Sequence, residues 1–481
     1  MMSTILNENL ISFKELEKKI FAYVCELARE ITQIMLESYD KELAEGRDKK
    51  AYRDKGTRGT SIKTVYGEVS YSRRVYRTEN VEGQVEYIYL LDQAMQMDKI
   101  GLISTNLAEK IALTITESPY RVTSDIINET CGQSISAQGV WNLVQRLGER
   151  IDEEEMHAVH QMNADQAKGS KTIPVLFEEM DGVWLHMQDE HHKRMKKQEM
   201  KVFTMYEGWD AEKEKENRST LVGKIMLAGM EDSNTFHEKR EACIRQKYDV
   251  DEIGQRILNG DGGSWIKEPY DSDAIFQLDR YHIYQEILRK IKNKKAQKEI
   301  RSLLEEEKIE EMLEYIQTYA TSVESPDEEN KESKYARELL KYLENNKDGL
   351  LPYDKQGVKI PEPSEGLIYK HMGVQESQNF TVITMRMKHR RMRWSKAGAN
   401  NLAKVLYRKE NKELVNTIER YTDGLIFTLQ MREVIEILSA AKAPKKDGKG
   451  NPYADRIRMH MPLLDAMQSA STKAFMRAFN S

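Results

Sequence analysis

At 481 residues the chain exceeds what one ordinary hydrophobic core organises, so two to four domains are expected. With 39% apolar and 32% charged residues it is not a disordered chain. It has no apolar run long enough to span a membrane, and its three scattered cysteines, Cys25, Cys131 and Cys243, support neither a disulfide framework nor a zinc ribbon. A cytoplasmic location is expected. The net charge of −5 hides segregation: residues 47–77 hold ten Lys or Arg against three acids, 385–404 hold seven against none, and 305–332 hold eleven acids and two lysines. Local basic patches, rather than totals, decide whether phosphates can be gripped.

In chain order, 1–46 reads as a helical segment suited to packing or oligomerisation, because Leu10, Phe13, Leu16, Ile20, Val24, Leu27 and Ile31 recur at helical steps. Residues 47–98 form a small basic β-rich region, with Gly56, Gly59 and Gly67 punctuating β-prone stretches and Arg73 and Arg74 offered to DNA. Residues 99–165 suggest a helix-turn-helix. Ile126 and Ile127 face inward on the first helix, Gly132 permits the turn, and Ser136 caps a second helix that buries Val140, Leu143, Val144 and Leu147. Gln138, Trp141, Asn142, Gln145 and Arg146 would then be free to meet DNA, although an ordinary helical hairpin shares this spacing.

From Lys171 strands and helices alternate, as in a mixed α/β sheet with flanking helices. Residues 171–292 would be the first part of this core, 293–350 a helical insertion, 351–400 the last part of the core, and 401–481 a helical tail with a flexible break at APKKDGKGNPYAD. The N-terminal region would be mainly α.

Three acids stand out at pattern changes. Asp181 closes IPVLFEEMD, Asp261 lies in ILNGDGGSW after a second strand, and Glu376 lies in MGVQESQNF before a basic helical stretch. Carboxylates gathered from strand ends and a neighbouring helix are what hard divalent cations require, and two such ions can serve phosphoryl transfer. Glu179 shares the face of Asp181 by strand alternation and reads as structural, as does Glu178. Asp279 and His282, three apart in LDRYH, either act near the scissile phosphate and the metal ligands or are a helix cap and a satisfied histidine. In RMKHRRMRWSKAG, Arg386, Arg390, Arg391 and Arg393 can reach phosphates. Trp394 and Trp265 read as core anchors, and His191 and His192 as a solvated turn.

The strings VLFEEMDGVWLHM, GDGGSWI, FQLDRYH, GVQES and RMKHRRMRWSKAGANNL resemble those of the ISLre-type bacterial insertion-sequence transposases, which are similar to Mutator-type transposases, over about residues 50–425. The resemblance implies an RNase H-like core with a helical insertion before the third acid. It also implies that Asp181, Asp261 and Glu376 are a DDE triad holding two Mg²⁺ or Mn²⁺ ions, and that Asp279 and His282 match a signature following the second acid. The implied activity is cleavage and joining of double-stranded DNA at element ends, by a homodimer or larger assembly associated with the nucleoid. A non-catalytic DNA-binding regulator derived from such an enzyme is the alternative.

Overall fold

The computed structural model describes residues 12–80, 83–96, 101–267, 274–324, 331–389 and 392–422. The described residues form two compact units, one of residues up to 95 with 130–133, the other of 96–129 with 134–422. No described helix is long and apolar enough to cross a membrane.

In the first unit, α1 (Phe13–Gly46) starts at Ser12, whose hydroxyl accepts the Glu15 N–H while the Glu15 carboxylate accepts the Ser12 N–H. This reciprocal cap satisfies two donors that a helix end leaves open. β1 (Arg53–Thr64) and β2 (Gly67–Glu79) form a hairpin, and β3 (Val85–Ile88) completes a three-stranded antiparallel sheet, followed by α2 (Leu90–Ala94). Alternation along β2 buries Val69, Tyr71 and Val75. The apolar face expected on α1 is not the buried one. Phe13, Ile20 and Val24 are exposed, whereas Cys25, Leu36, Asp40 and Ala44 are buried. The helix is tied to β2 through its later turns, where Glu37 and Asp40 accept the Ser72 and Arg74 N–H groups. Periodicity finds a face but not what covers it.

The second unit opens with α3 (Thr105–Glu117), α4 (Tyr120–Thr130) and α5 (Ala137–Asn163). Ser136 caps α5, and the corner before it is closed by Asn128, which accepts the Ile135 N–H at 2.7 Å and donates to the Ile135 carbonyl at 3.0 Å. Val140, Leu143, Val144 and Leu147 are buried as expected, as is Ile127, but Ile126 is exposed.

The core sheet comprises β4 (Lys171–Leu185), β5 (Gln198–Tyr206), β8 (Ile225–Gly229), β9 (Tyr248–Gly260) and β10 (Ile275–Leu278), in the spatial order β10-β9-β4-β5-β8. β10, β9 and β4 run parallel, while β5 is antiparallel to both β4 and β8. The fold is therefore mixed α/β. A separate small sheet joins β6 (Gly208–Asp210), β7 (Leu221–Val222) and β11 (Leu367–Ile368), with α6 (Ala211–Lys215) between the first two.

α7 (Ser233–Lys247) links β8, at one edge of the sheet, to β9, which lies beyond β5 and β4 and runs parallel to β4. β9 starts earlier than RILNGD suggests, at Tyr248, so the polar YDVDEIGQ is also strand. α8 (Ser264–Lys267) follows it. Two helices follow β10, α9 (Arg280–Lys290) and α10 (Lys294–Glu305), and Asn293 caps the second. α9 and α10 share an apolar core with α11 (Ile309–Ser322) and α12 (Glu332–Asn345), built on Ile287, Ile300, Met312, Ile316, Leu339 and Leu343. The chain then returns to the sheet through Tyr353 and Met372, which pack with Val175, Phe177, Tyr206 and Trp209. α13 (Gln375–Gln378) continues through a π-helical stretch, Asn379–Thr384, into α14 (Met385–Met387). α15 (Lys396–Glu410) and α16 (Leu414–Thr422) close the described chain, and the part of the tail from 423 lies outside the described residues.

Candidate functional site

Strand register does the first part of the assembly. On the adjacent parallel strands β4 and β9, Met180 pairs with Gly260, so the following residues stand side by side: Asp181, still within β4 and paired with Val202 of β5, and Asp261, just past the end of β9. Leu278 of β10 pairs with the same Gly260, placing Asp279 one strand further along. Asp279 caps α9, accepting the N–H groups of Tyr281 at 2.7 Å and His282 at 3.4 Å, and so turns His282 back over the strand ends. His282 Nε2 lies 3.5 Å from Asp181 Oδ1. Asp279 is a helix cap, and His282 meets the first acid.

The third acid arrives on α13. Glu376 is exposed in its first turn, while Asn379, one turn on, donates to Asp181 Oδ2 at 2.6 Å. The charge of Asp181 reaches both Glu376 and Asp261. Burial, then Asp181, pushes the Asp261 carboxyl above the usual range, against the Gly263 N–H that it accepts at 2.8 Å. Glu376 is raised too, by partial loss of water around its carboxyl, though the residue as a whole is exposed, and then by Asp181. Burial alone would lower His282, but the hydrogen bond and charge of Asp181, with Asp279 and Asp261 behind it, raise it to about 9.

A fourth carboxylate was missed in the sequence. Glu199 on β5 is raised by burial and then by Asp261, with Asp181 a smaller cause. It lies across Gly182, where any Cβ would collide with its carboxylate. Its partner strand is not readable from local pattern, since Glu199 reaches the site only through the β4–β5 pairing.

Glu178 and Glu179 point to opposite faces, as alternation requires. Glu178 is wholly buried in a two-pronged pair with Arg256, at 2.7 and 3.0 Å. Glu179, equally buried, accepts the N–H groups of Gly373, Val374 and Gln375.

A second acidic group lies elsewhere in this unit. The ligand atoms of Asp152, Glu155 and Glu231 lie within 4.8 Å of one another, closer than Asp181, Asp261 and Glu376 converge. Two buried ammonium groups already occupy that cluster: Lys239 approaches the three acids at 2.5, 3.0 and 2.7 Å, and Lys404 at 3.0, 2.6 and 3.0 Å. Its chemistry is that of a structural ion network joining α5, α7 and α15.

The basic residues divide. Arg73 is buried against Asp92 at 2.6 Å and stacks over Tyr89, and Arg74 is paired with Asp40 at 2.7 Å, so neither projects freely to a ligand. In the same unit Arg53, Lys55 and Arg58 are exposed instead. Arg386 is buried too, its Nε donating to the Ile115 carbonyl at 2.7 Å beside Tyr120 and Trp394. Arg393 is exposed, while Arg390 and Arg391 lie outside the described residues. On α5, Gln138, Asn142 and Arg146 are exposed, with Gln138 donating to Asn142 at 2.9 Å. Gln145 is not available: it is buried and accepts from Asn401. Trp394 anchors in the core, its indole N–H donating to the Met387 carbonyl.

The family model that spans residues 6–420 is that of an uncharacterised protein family, UPF0236. The chain belongs to UPF0236. A UPF0236 protein of Caldanaerobacter subterraneus subsp. tengcongensis, whose one name groups eleven TTE loci, is 25% identical over 83% of this chain and 78% of its own length. A second from the same organism, grouping four loci, is 24% identical with the same coverage. The UPF0236 protein in the vanSb 3′ region of Streptococcus gallolyticus is 23% identical over 82% of this chain and 83% of its own. The aligned span of UPF0236 thus takes in Asp181, Asp261, Glu376 and His282.

Proposed function

We propose that this chain is a DDE-type DNA transposase with an RNase H-like core, which binds element ends and catalyses metal-dependent strand cleavage and strand transfer. The observation that carries the reading is the delivery of Asp181 and Asp261 side by side from neighbouring parallel strands, with the segment that follows Glu376 bonded to Asp181 through Asn379. The order β10-β9-β4-β5-β8, with α7 crossing between β8 and β9 and a helical insertion before the third acid, is the arrangement expected of an RNase H-like core. Relatives whose single names cover eleven and four loci of one organism fit a sequence that copies itself within a genome.

The donor set fits hard divalent cations. It consists of carboxylate oxygens, two of them on acids raised by burial and by the charge of Asp181, which a cation would relieve. Asp181, Asp261 and Glu376 would hold Mg²⁺ or Mn²⁺, two ions in all. Bound there, the ions would activate a water or a DNA 3′-hydroxyl and stabilise the departing oxygen of an in-line displacement. The chain's own groups supply orientation. Asn379 and the Gly182 N–H hold the two oxygens of Asp181, the Gly263 N–H holds one of Asp261, and His282 brings a positive charge to the centre. Arg393 on this unit, and Arg53, Lys55 and Arg58 on the other, would meet the phosphates of double-stranded DNA. A homo-oligomer would bring two ends together.

The test is a nicking and joining assay on duplex DNA carrying the element ends, with Mg²⁺ or Mn²⁺, comparing the protein with its Asp261→Ala variant. Metal-dependent nicking by the first and not the second supports the transposase. DNA binding by both with nicking by neither would replace it with the non-catalytic regulator.

A further inference from the structure

We propose that Glu179 is a positioning residue that sets the place of Glu376 from within the sheet. The proposal rests on the reading of Asp181, Asp261 and Glu376 as a metal site. Glu179 stands two residues before Asp181, on the same face of β4, and no part of it is exposed. A carboxylate buried this fully is costly unless every lone pair finds a donor. Glu179 finds five. Oε1 accepts from the Tyr206 hydroxyl at 2.6 Å and from the N–H groups of Gly373 at 3.0 Å and Val374 at 3.2 Å. Oε2 accepts from the Gln375 N–H at 3.0 Å and the Asn259 amide at 3.2 Å. Three consecutive backbone donors immediately before Glu376 are therefore fixed on one side chain. Gly373 makes this possible: its φ of +126° is a conformation that side chains rarely adopt, and it turns the chain so that successive N–H groups converge.

The same row of the sheet does this for other returning segments. Glu179 pairs with Asn259, and Asn259 with Gln277, across the three parallel strands. Asn259 also donates to Asp279 Oδ2 at 2.7 Å, and Asp279 in turn caps the helix of His282. Gln277 donates to Asn259 at 3.2 Å and accepts the Tyr353 N–H at 2.9 Å, where the chain rejoins the sheet after the helical insertion. An apolar row would pack here at no polar cost. This row instead directs its hydrogen bonds to the backbones that carry His282 and Glu376.

A double-mutant cycle on the full-length protein, reading Mn²⁺ affinity by titration and metal-dependent nicking of duplex DNA, tests the assignment. Glu179→Gln keeps the size but places two donors where N–H groups must be accepted. It should weaken Mn²⁺ binding and nicking about tenfold or more, and added to Glu376→Gln it should cost nothing further, since both act through one ligand. Gly373→Ala keeps Glu179 intact and would meet nothing within 4 Å, so it strains only the turn that Glu179 holds, and it should show the same non-additivity if Glu179→Gln fails to fold. Losses that multiply in the double variant, or Glu179→Gln and Gly373→Ala proteins that bind Mn²⁺ like the parent while Glu376→Gln does not, would overturn the positioning role and leave the metal site standing. A parent protein that binds no Mn²⁺, or a Glu376→Gln variant that binds it unchanged, would sink the metal-site reading and this proposal with it.

Discussion

Two clusters of acids in the same unit show what carboxylates do with and without lysine. Asp152, Glu155 and Glu231 crowd more tightly, yet Lys239 and Lys404 set two positive charges among the three acids, and Glu231 and Asp152 are held below the usual carboxylate range despite burial. Asp181, Asp261, Glu376 and Glu199 are looser, His282 on Asp181 is their one ion pair among the described residues, and three of them are raised. The first cluster is finished as folded. The second stores repulsion that an added cation would release, and that difference in built-in countercharge is what metal titration would test.

Removing an acid from the second cluster should have the largest effect. Asp181→Asn is expected to cut metal-dependent nicking about 10³-fold, the scale of several kcal/mol that bound metal supplies, without loss of fold by circular dichroism. In the first cluster the expectation reverses. Lys404→Met strands buried carboxylates and should cost about 3–5 kcal/mol in urea unfolding, while the folded fraction keeps its Mn²⁺ affinity. Acid titration separates the clusters further. Because Asp152 and Glu231 ionise more readily folded than unfolded, their contribution is present above the ordinary carboxylate range and is lost as pH falls through their depressed values. Lys404→Met should flatten that acid limb.

Asp261 carries the opposite sign. Its raised carboxyl penalises the folded state once pH exceeds the unfolded value, so Asp261→Asn should stabilise the metal-free protein at pH 7 while abolishing nicking, a trade of stability for function. The smallest effect is expected outside both clusters. Replacing Arg53, Lys55 and Arg58 by Ser should weaken DNA binding several-fold and lower the slope of its salt dependence by roughly 0.9 for each phosphate left without its cation, whereas Arg73 and Arg74, already paired with Asp92 and Asp40, should perturb folding instead.

What was legible in the sequence follows the range of the forces involved. Strand alternation placed Glu179 on the face of Asp181, and Ser136 announced the start of α5, because these depend on neighbours a few residues away. Glu199 was invisible because it meets Asp261 only through pairing of β4 with β5 and β9. Arg73, Arg74 and Arg386 looked available because sequence counts charges without their partners, and Asp92, Asp40 and the Ile115 carbonyl lie far away along the chain or on another element. The apolar stripe of α1 was real as a pattern but faces outward over much of its length.

The most direct measurement is Mn²⁺ titration of the full-length protein beside its Asp181→Asn and Lys404→Met variants. Two ions bound by the parent and by folded Lys404→Met, with binding lost in Asp181→Asn, is the predicted result. Mn²⁺ binding that survives Asp181→Asn but responds to Lys404→Met would place the ions at Asp152, Glu155 and Glu231 and contradict the account.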